Sequence, residues 1–300
     1  MNPEEVIRQS RRSPVQRFLT DPLVALLALG VWSVFKALPA KKASAFGAGL
    51  GALAGLCARR RSHIGLVNLR IAFPDKTEKE RQEILKKMWR HWGRFYAEMP
   101  HAHTLFQQAE INGLEHLKNA VGTGGFVCSA HLGNWELAVS QPLFNDVYLN
   151  PVYRRANNPW LDKLMFQRRT GVLIPKGISG ARKIVEVLRN KGFVVILNDQ
   201  KFREGVPVPL FGRPAMTAPA VAVLALRLRV PIVMARSIRQ PDGHFVMDVT
   251  PPLPMPKTDN PDEAVRALLT DINAQLEAWI RETPEQWLWI HRRFDKAIYG

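Results

Sequence analysis

The chain has 300 residues, of which 46% are apolar and 23% are charged. This balance is typical of a globular protein with a substantial core, and it excludes fibrous, collagen-like and wholly disordered chains. The formal net charge of +16 predicts attraction to an anionic partner, and nucleic acid, an acidic membrane and an acidic protein all qualify. Cys57 and Cys128 are too few for a disulfide framework or a zinc site, and they favour a reducing compartment.

The first feature along the chain is an uncharged run from Leu23 to Phe35, with arginines before it and Lys36 after it. Four interpretations are open: a cleaved signal peptide, a transmembrane helix, an uncleaved anchor lying in or partly across the membrane, and a buried core helix. We favour the uncleaved anchor, because the run is short for a span and its flanking lysines can reach lipid phosphates. Positive charge on both sides leaves its orientation open.

A second apolar stretch, from Ala43 to Ala58, is rich in glycine and alanine and ends at a run of three arginines. We expect it either to pack closely on the first helix or to rest on the bilayer. Together the two stretches define a predicted membrane-associating segment over residues 1–60. Residues 61–300 form the predicted catalytic domain.

The remaining sequence alternates between helical patterns and short β-branched runs. Thr77 and Glu80 form a predicted capping box at the start of the first of these helices. Helices are predicted over 77–98, 157–169, 179–190, 215–228 and 261–281, and strands over 125–130, 147–153, 171–174, 193–198, 231–237 and 244–250. This alternation predicts an α/β fold, with a central mostly parallel or mixed sheet flanked by helices and its last strand antiparallel at an edge. Functional residues are expected where strands end and loops begin.

The most informative stretch is FVCSAHLGNWE, from Phe126 to Glu136. If Asn134 caps a helix, Glu136 falls in its first turn, where the helix dipole favours an anion. This carboxylate would orient His131 and stabilise its protonated form, which makes His131 a candidate general base. A strand-ending histidine followed by a solvated acid fits the spacing equally well. Because the chain has no G-x-S-x-G motif and Cys128 is expected to be a buried structural thiol, the base would activate an acceptor hydroxyl directly.

The segment from His131 to Glu136 resembles the H-x4-E motif of the late acyltransferases of lipid A biosynthesis, the lauroyl and myristoyl transferases of Gram-negative inner membranes. Further blocks resemble the family in the same order, so that the similarity extends from the amino-terminal anchor to residue 294. These blocks are Tyr153 to Arg155 with Asn158 and Pro159, Asn198 to Gln200, Gly205 to Thr217, and Gln286 to Phe294.

The resemblance implies transfer of a fatty acyl chain from an acyl carrier protein thioester to a hydroxyl of an acylated, phosphorylated glucosamine disaccharide. It implies no cofactor, and it places the catalytic domain on the cytoplasmic side of the inner membrane. His131 would take the hydroxyl proton and Glu136 would orient His131. His291 and the arginines after it would bind membrane phosphates or a structural acid. Substrate contacts are expected from Asn134, Arg154, Asp199, Gln200, Arg213 and Thr217, the last as the cap of a helix that begins near Ala218.

Other functions fit the sequence less well. Nucleic-acid binding would suit the charge, but aromatic residues are not interleaved with basic ones and no nucleic-acid motif is present. A metal hydrolase could use His131, Glu136 and Asp199, yet a histidine and a glutamate five residues apart are not a recognised zinc spacing. Within acyltransferases, the alternative is an acyl-CoA-dependent enzyme acting on another glycolipid or lipid.

Overall fold

A computed structural model describes residue 13 and residues 15–139, 147–154, 156–166 and 171–300. In these ranges ten α-helices surround a seven-stranded sheet, and two further strands form a separate hairpin. All neighbouring strands of the main sheet run parallel except the second pair from one edge. The predicted α/β fold, with a mostly parallel mixed sheet flanked by helices, is confirmed.

Four of the five helices predicted in the α/β part begin within two residues of the predicted positions, whereas the helices over 59–72, 102–107 and 114–118 are not predicted. The capping box is present, because the Thr77 side chain accepts from the Glu80 amide and the Glu80 carboxylate accepts from the Thr77 amide. The helices are α1 Asp21–Ala37, which follows a π-helical turn Gln16–Thr20, α2 Ala40–Cys57, α3 Arg59–Ala72, α4 Glu78–Glu98, α5 Ala102–Gln107, α6 Leu114–Lys118, α7 Pro159–Phe166, α8 Ile178–Arg189, α9 Ala220–Leu228 and α10 Pro261–Glu282.

The strands are β1 Glu110–Asn112, β2 Gly125–Ser129, β3 Leu149–Tyr153, β4 Ile174–Pro175, β5 Phe193–Leu197, β6 Val206–Leu210, β7 Arg213–Thr217, β8 Ile232–Arg239 and β9 Phe245–Val249. The order in the main sheet is β1-β9-β8-β2-β5-β3-β4. Strand β9 is antiparallel to β8, as predicted. It is not at the edge, however, since β1 pairs with its outer side.

The hairpin of β6 and β7 is not among the predicted strands, and β7 occupies the first three residues of the helix predicted over 215–228. Prolines 207, 209 and 214 lie within the two strands, and proline is confined to edge strands because it lacks an amide hydrogen. A two-stranded hairpin consists of edges alone, so it tolerates all three. As a result α9 begins at Ala220, five residues later than the predicted position.

The central strand β2 is buried along its whole length and separates two layers of apolar side chains. Phe126 and Cys128 face the larger core, which the helices α3, α8, α9 and α10 cover. Val127 faces the opposite layer, together with Val195 of β5 and Val233 of β8. This alternation follows from the two-residue repeat of a strand, and the candidate active site lies on the side of Val127.

The two amino-terminal helices, α1 and α2, pack against later helices of the described chain. Among the described residues, one helix, Phe18–Ala37, is long and apolar enough to cross a membrane by length and composition. The small-residue face of α2 packs on α4 rather than on α1, which corrects one of the two predicted arrangements. A Cβ atom on Gly51 would lie 2.1 Å from the Trp89 carbonyl oxygen, so only glycine permits this close approach of the two helices.

Candidate active site

A cavity of about 390 Å³ lies between α4 and the sheet face that carries Val127. Most of its wall is apolar and comes from strands and from α4 and α6; among these residues are Phe95, Leu117, Val127, Val195, Met247 and Val249. Polar side chains also line it, among them those of His131, Glu136, Arg154, Lys176, Gln200 and His291. A mostly apolar wall with a few polar groups suits a long apolar ligand that carries a reactive polar group.

The central polar pair consists of His131 and Asp199. His131 follows β2 and Asp199 follows β5, and these neighbouring parallel strands pair in register up to Ser129 and Leu197. The Nδ1 atom of His131 lies 2.8 Å from Oδ1 of Asp199. The other carboxylate oxygen accepts hydrogen bonds from the His131 amide and from the Trp287 indole, both at 2.9 Å. Because an ionised carboxylate only accepts, Nδ1 carries the hydrogen and Nε2 is left as a base.

The charge state of Asp199 results from two opposing effects. Burial alone would raise the pKa of its carboxyl group. The charge of His131 and the three hydrogen bonds lower this pKa by more than burial raises it. The net result holds the pKa of Asp199 well below its usual range, so the group is ionised at neutral pH. An ionised partner on Nδ1 stabilises the imidazolium that forms when Nε2 takes up a proton.

The sequence motif predicts that Glu136 orients His131. In the structure, Asp199 makes this contact with Nδ1 of His131 instead. Glu136 lies in a turn, and its side chain lines the cavity five residues beyond His131. Burial, with a smaller contribution from the charge of Glu136, raises the pKa of Tyr96 to about 12. Glu136 is therefore a second carboxylate in the same site.

Asn134 is neither a helix cap nor a residue of the described cavity wall. The described residues after it form a turn and a short 3-10 helix, Leu137–Val139. Its side chain is 1% exposed and donates to Glu98 Oε2 at 3.3 Å. Glu98 in turn forms an ion pair with Arg239 of β8. Asn134 therefore belongs to a buried polar network behind the loop that carries His131, and its contact with substrate stays a prediction.

Residues of α4 and β8 hold the loop that carries His131 and Asn134 in place at Gly133. The carbonyl oxygen of Gly133 lies 3.1 Å from Nε2 of His91, which is buried. Burial lowers the pKa of His91 to about 4, so this imidazole is neutral at pH 7 and donates to the carbonyl. Gly133 has a φ of 60°, and a Cβ there would lie 1.7 Å from the Ser237 carbonyl oxygen. Glycine is required at this position on both counts.

Gln200 lies between two imidazoles. Its Nε2 atom is 3.3 Å from Nε2 of His131 and 3.4 Å from Nε2 of His291. This geometry fits an amide group that donates to both rings, in agreement with the hydrogen on Nδ1 of His131. Burial, reinforced by the charge of His131, lowers the pKa of His291 to about 4. His291 is therefore a neutral residue of the cavity, whereas the sequence analysis grouped it with cations at the membrane.

Two cationic side chains line the cavity near this pair. Arg154 follows β3 and is exposed at the cavity, and its contact with substrate stays a prediction. Lys176 follows β4, and burial lowers the pKa of its amine, with an opposing effect from Asp199 and a reinforcing one from Arg154. Sequence reasoning missed Lys176, although the strand predicted over 171–174 ends two residues before it.

Arg213 and Thr217, the two other predicted contacts, lie outside the described cavity wall. Arg213 is exposed at the start of β7, and Thr217 is fully buried at its end. The Thr217 hydroxyl donates to the Ala215 carbonyl oxygen and accepts from Arg293 at 2.7 Å. Thr217 therefore stabilises the join between the hairpin and the carboxyl-terminal segment, and its side chain does not cap α9. A substrate contact from Thr217 stays a prediction.

The fold and the site together combine a mostly parallel α/β sheet with a His131–Asp199 pair beside a mostly apolar cavity, an arrangement typical of an enzyme that acts on an apolar chain. A family model for the bacterial lipid A biosynthesis acyltransferases matches residues 13–296, and the chain belongs to this family. It is an acyltransferase of lipid A biosynthesis, with a lipid A precursor as acceptor.

Individual relatives agree with this assignment over nearly the whole chain. The lipid A biosynthesis lauroyltransferase of Escherichia coli (strain K12) is 28% identical, and the match covers 91% of this chain and 92% of that protein. The lipid A biosynthesis palmitoleoyltransferase of the same strain is 26% identical, with 91% of each chain covered. A lipid A biosynthesis acyltransferase of Haemophilus influenzae is 24% identical over 80% of this chain and 78% of that protein. Two of these names specify different acyl groups, so similarity does not fix the acyl chain used here.

Proposed function

We propose that this protein transfers a fatty acyl chain from an acyl carrier protein thioester to a hydroxyl of a lipid A precursor, at the cytoplasmic side of the inner membrane. The observation that carries the proposal is an apolar cavity in which an imidazole, held by a buried carboxylate, meets the space for an acyl chain. The acyl chain would lie along the sheet face at Val127, and its thioester would lie beside His131.

His131 is the general base in this proposal. Its Nε2 atom removes the proton from the acceptor hydroxyl as the hydroxyl oxygen attacks the thioester carbonyl carbon. Asp199 stabilises the imidazolium through the bond to Nδ1. When the tetrahedral intermediate collapses, the carbon–sulfur bond breaks and the departing thiolate takes the proton from Nε2. His131 thus returns to its neutral form, and no group of the protein is acylated.

The buried cysteine supports direct transfer. Cys128 lies on the core side of β2, away from the cavity, and burial raises the pKa of its thiol to about 12. A thiol with such a pKa is protonated at neutral pH and is a poor nucleophile. The acyl group would therefore pass from donor to acceptor without a cysteine intermediate at this position.

The oxyanion of the tetrahedral intermediate would be stabilised by the donors around Nε2. Gln200 places its amide group 3.3 Å from the base, and an arriving hydroxyl would displace this amide toward the carbonyl oxygen. Lys176 and Arg154 supply positive charge in the same cavity, and a cation beside a developing oxyanion stabilises the transition state.

Glu136 acts from the substrate side in this scheme. Because Asp199 occupies Nδ1 of His131, we place Glu136 against the acceptor, where its carboxylate would accept hydrogen bonds from a sugar hydroxyl and hold it near Nε2. Loss of this contact would impair positioning, and loss of the Asp199 contact would impair the base itself. The two carboxylates are therefore expected to differ in their effects on KM and kcat.

The choice of a carrier protein as donor is supported by charge. The net charge of +16 favours an acidic protein partner, and such steering weakens as salt screens exposed charges. The alternative donor, acyl-CoA, carries the same thioester on a small molecule and would gain less from a large basic surface.

The test is a transfer assay with purified full-length protein, a lipid A precursor in detergent, and one fatty acid presented either on acyl carrier protein or on coenzyme A. Mass spectrometry of the product gives the number and mass of the added acyl groups. We expect one added chain, a higher kcat/KM with the carrier protein, and a preference that shrinks as salt increases. Equal kcat/KM for both donors at every salt concentration would contradict the carrier-protein proposal, and no acylated lipid A with either donor would contradict the whole scheme.

A further inference from the structure

A second cavity lies on the opposite face of α4 from the active site. Trp92, Phe95 and Tyr96 of this helix line the active-site cavity, whereas Arg90 and Arg94 line the second one. The second cavity has a volume of about 900 Å³, and its wall comes from α2, α4, α5, the turn between β8 and β9, and the end of α10. Because charged side chains dominate this wall, its ligand must differ in chemistry from a fatty acyl chain.

One side of the wall, formed by α2 and α4, is basic. It carries Lys41, Lys87, Arg90 and Arg94, and within the described part of the chain none of these four cations has an ion-pair partner. The three cations of α4 recur at spacings of three and four residues, so they form one stripe on the helix. Like charges at this spacing repel each other, and a bound anion would remove the repulsion.

Most carboxylates of the wall already have a cationic partner. Asp248 and Glu282 both pair with Arg236, at 2.8 and 2.5 Å, and Asp242 pairs with a histidine of the same turn. Over the described ranges, Glu285 is the one wall carboxylate without an ion pair. Four unpaired cations therefore stand against one unpaired acid, and the basic side attracts an anion.

Glu98 and Arg239 form a buried ion pair at the same wall, with side chains that are 1% and 12% exposed. Oε1 of Glu98 and Nε of Arg239 have no hydrogen-bond partner among the residues that the structure describes. Buried polar atoms rarely lack a partner. A ligand in the cavity can supply both partners if it accepts from Arg239 and donates to Glu98.

Arg94 lies beside this pair. Its Nη1 atom donates to the Ser44 hydroxyl at 3.0 Å, and its other guanidinium nitrogens have no partner in the described ranges. Burial lowers the pKa of Arg239, the charge of Glu98 opposes this, and the charge of Arg94 reinforces it. The two guanidinium groups are thus close enough to repel each other. A doubly charged anion between them would turn this repulsion into two attractions.

We propose that this cavity binds a sugar phosphate, with the phosphate between Arg94 and Arg239 and a sugar hydroxyl at Oε1 of Glu98. A phosphate monoester carries three accepting oxygens and about two negative charges at neutral pH, and guanidinium groups bind such oxyanions through paired donors. The sugar hydroxyl supplies a donor for Glu98 without adding negative charge beside it. The inference goes beyond acyl transfer and does not rest on it.

Calorimetric titration of the full-length protein in detergent with glucosamine 1-phosphate tests the site. We compare wild type with Arg94→Gln, and with Arg189→Gln as the matched control, because Arg189 is exposed at the end of α8. Loss of the Arg94 contacts should weaken binding by about 10- to 100-fold, whereas Arg189→Gln should bind as wild type. Arg94→Lys keeps the charge without the paired donors and should fall in between. Thermal unfolding checks that each variant is folded.

Further probes separate the phosphate from the sugar and identify the source of the ligand. Inorganic phosphate should bind about tenfold more weakly than glucosamine 1-phosphate, because it lacks the sugar hydroxyl, and glucosamine alone should not bind. A lipid A precursor that displaces glucosamine 1-phosphate would identify a glycolipid head group as the source. Binding without such displacement would identify a free sugar phosphate.

The site must also be distinguished from the active-site cavity. Arg154→Gln removes a cation of that cavity and should leave the affinity for glucosamine 1-phosphate unchanged. Loss of binding in Arg154→Gln, wild-type affinity in Arg94→Gln, or no binding to the wild-type protein would each overturn the inference. Equal affinity for inorganic phosphate would overturn the sugar contact at Glu98. None of these measurements involves acyl transfer, so failure of the proposed chemistry would leave them interpretable.

Discussion

Replacing Asp199 with asparagine should remove the base function of His131 while leaving most of the site in place. One oxygen of Asp199 accepts two hydrogen bonds, from the His131 amide and the Trp287 indole, and the other accepts one, from Nδ1. An asparagine side chain has only one accepting oxygen. That oxygen is expected to take the position where the His131 amide and the Trp287 indole both donate. The new amide group is therefore expected to face Nδ1 and donate to it. This arrangement moves the ring hydrogen to Nε2, the atom that has to accept the proton from the acceptor hydroxyl.

The expected loss of activity has two causes. The ring hydrogen of His131 moves to Nε2, and the negative charge beside Nδ1 is removed. In serine proteases, the equivalent change of the aspartate that orients a catalytic histidine lowers kcat by about 10⁴-fold through the wrong tautomer. The pKa of Asp199 lies well below its usual range, so this carboxylate also stabilises the imidazolium. We expect kcat to fall by about 10³- to 10⁴-fold, or about 4 to 6 kcal/mol of activation free energy at about 1.4 kcal/mol per tenfold, with KM changed much less.

The assay is steady-state transfer to a lipid A precursor by Asp199→Asn, with Asp271→Asn as the matched control because Asp271 is exposed on α10. Trp287→Phe removes one donor and keeps the charge, so we expect a loss of roughly tenfold, in line with one hydrogen bond to a charged group. A kcat within threefold of wild type for Asp199→Asn would refute the reasoning, provided that thermal unfolding shows a folded variant.

Three further results are expected. Gln200→Ala should lower kcat by about 10- to 100-fold with little change in KM, since the loss of an oxyanion donor affects the transition state; a change confined to KM would contradict this. Glu136→Gln should raise KM more than it lowers kcat, and the opposite split would favour a direct role on His131. The pKa of His91 is about 4 in the folded protein against 6.5 for a free histidine. As the pH falls, the unfolded chain therefore takes up a proton on His91 at a higher pH than the folded protein does. The contribution of neutral His91 to the free energy of unfolding should be complete above pH 6.5 and should be lost, by up to about 3 kcal/mol, toward pH 4. Denaturant titrations of wild type and His91→Gln should show a shallower fall in the variant, and equal slopes would refute this assignment.

The parts of the fold that the sequence predicts well are those whose local pattern and final environment agree. The apolar runs at β2 and β5 are buried on both faces, and the stripe of α10 faces the core along its whole length. The hairpin was missed because its prolines oppose strand formation everywhere except at an edge. Strand β1 was missed because three residues are too few for a period.

In the site, too, residues in a local sequence pattern could be predicted and residues that depend on long-range contacts could not. His131 could be identified because a histidine at the carboxyl end of an apolar strand is a local pattern. Its partner could not, since Asp199 is 68 residues away and competes with Glu136, which is close in sequence. Only the parallel register of β2 and β5 selects Asp199. The positions of Trp287 and His291 likewise depend on where the carboxyl-terminal segment crosses the end of the sheet.

The central claim is that His131 accepts the proton of the acceptor hydroxyl in a direct transfer. The most direct test is single-turnover transfer from a radiolabelled acyl thioester on the carrier protein, with excess wild-type or His131→Gln protein and a lipid A precursor. We predict that label passes from donor to lipid without appearing on the protein, and that the variant is slower by about 10²- to 10⁴-fold. Transfer by the variant at the wild-type rate, or label bound covalently to the protein during turnover, would contradict the mechanism.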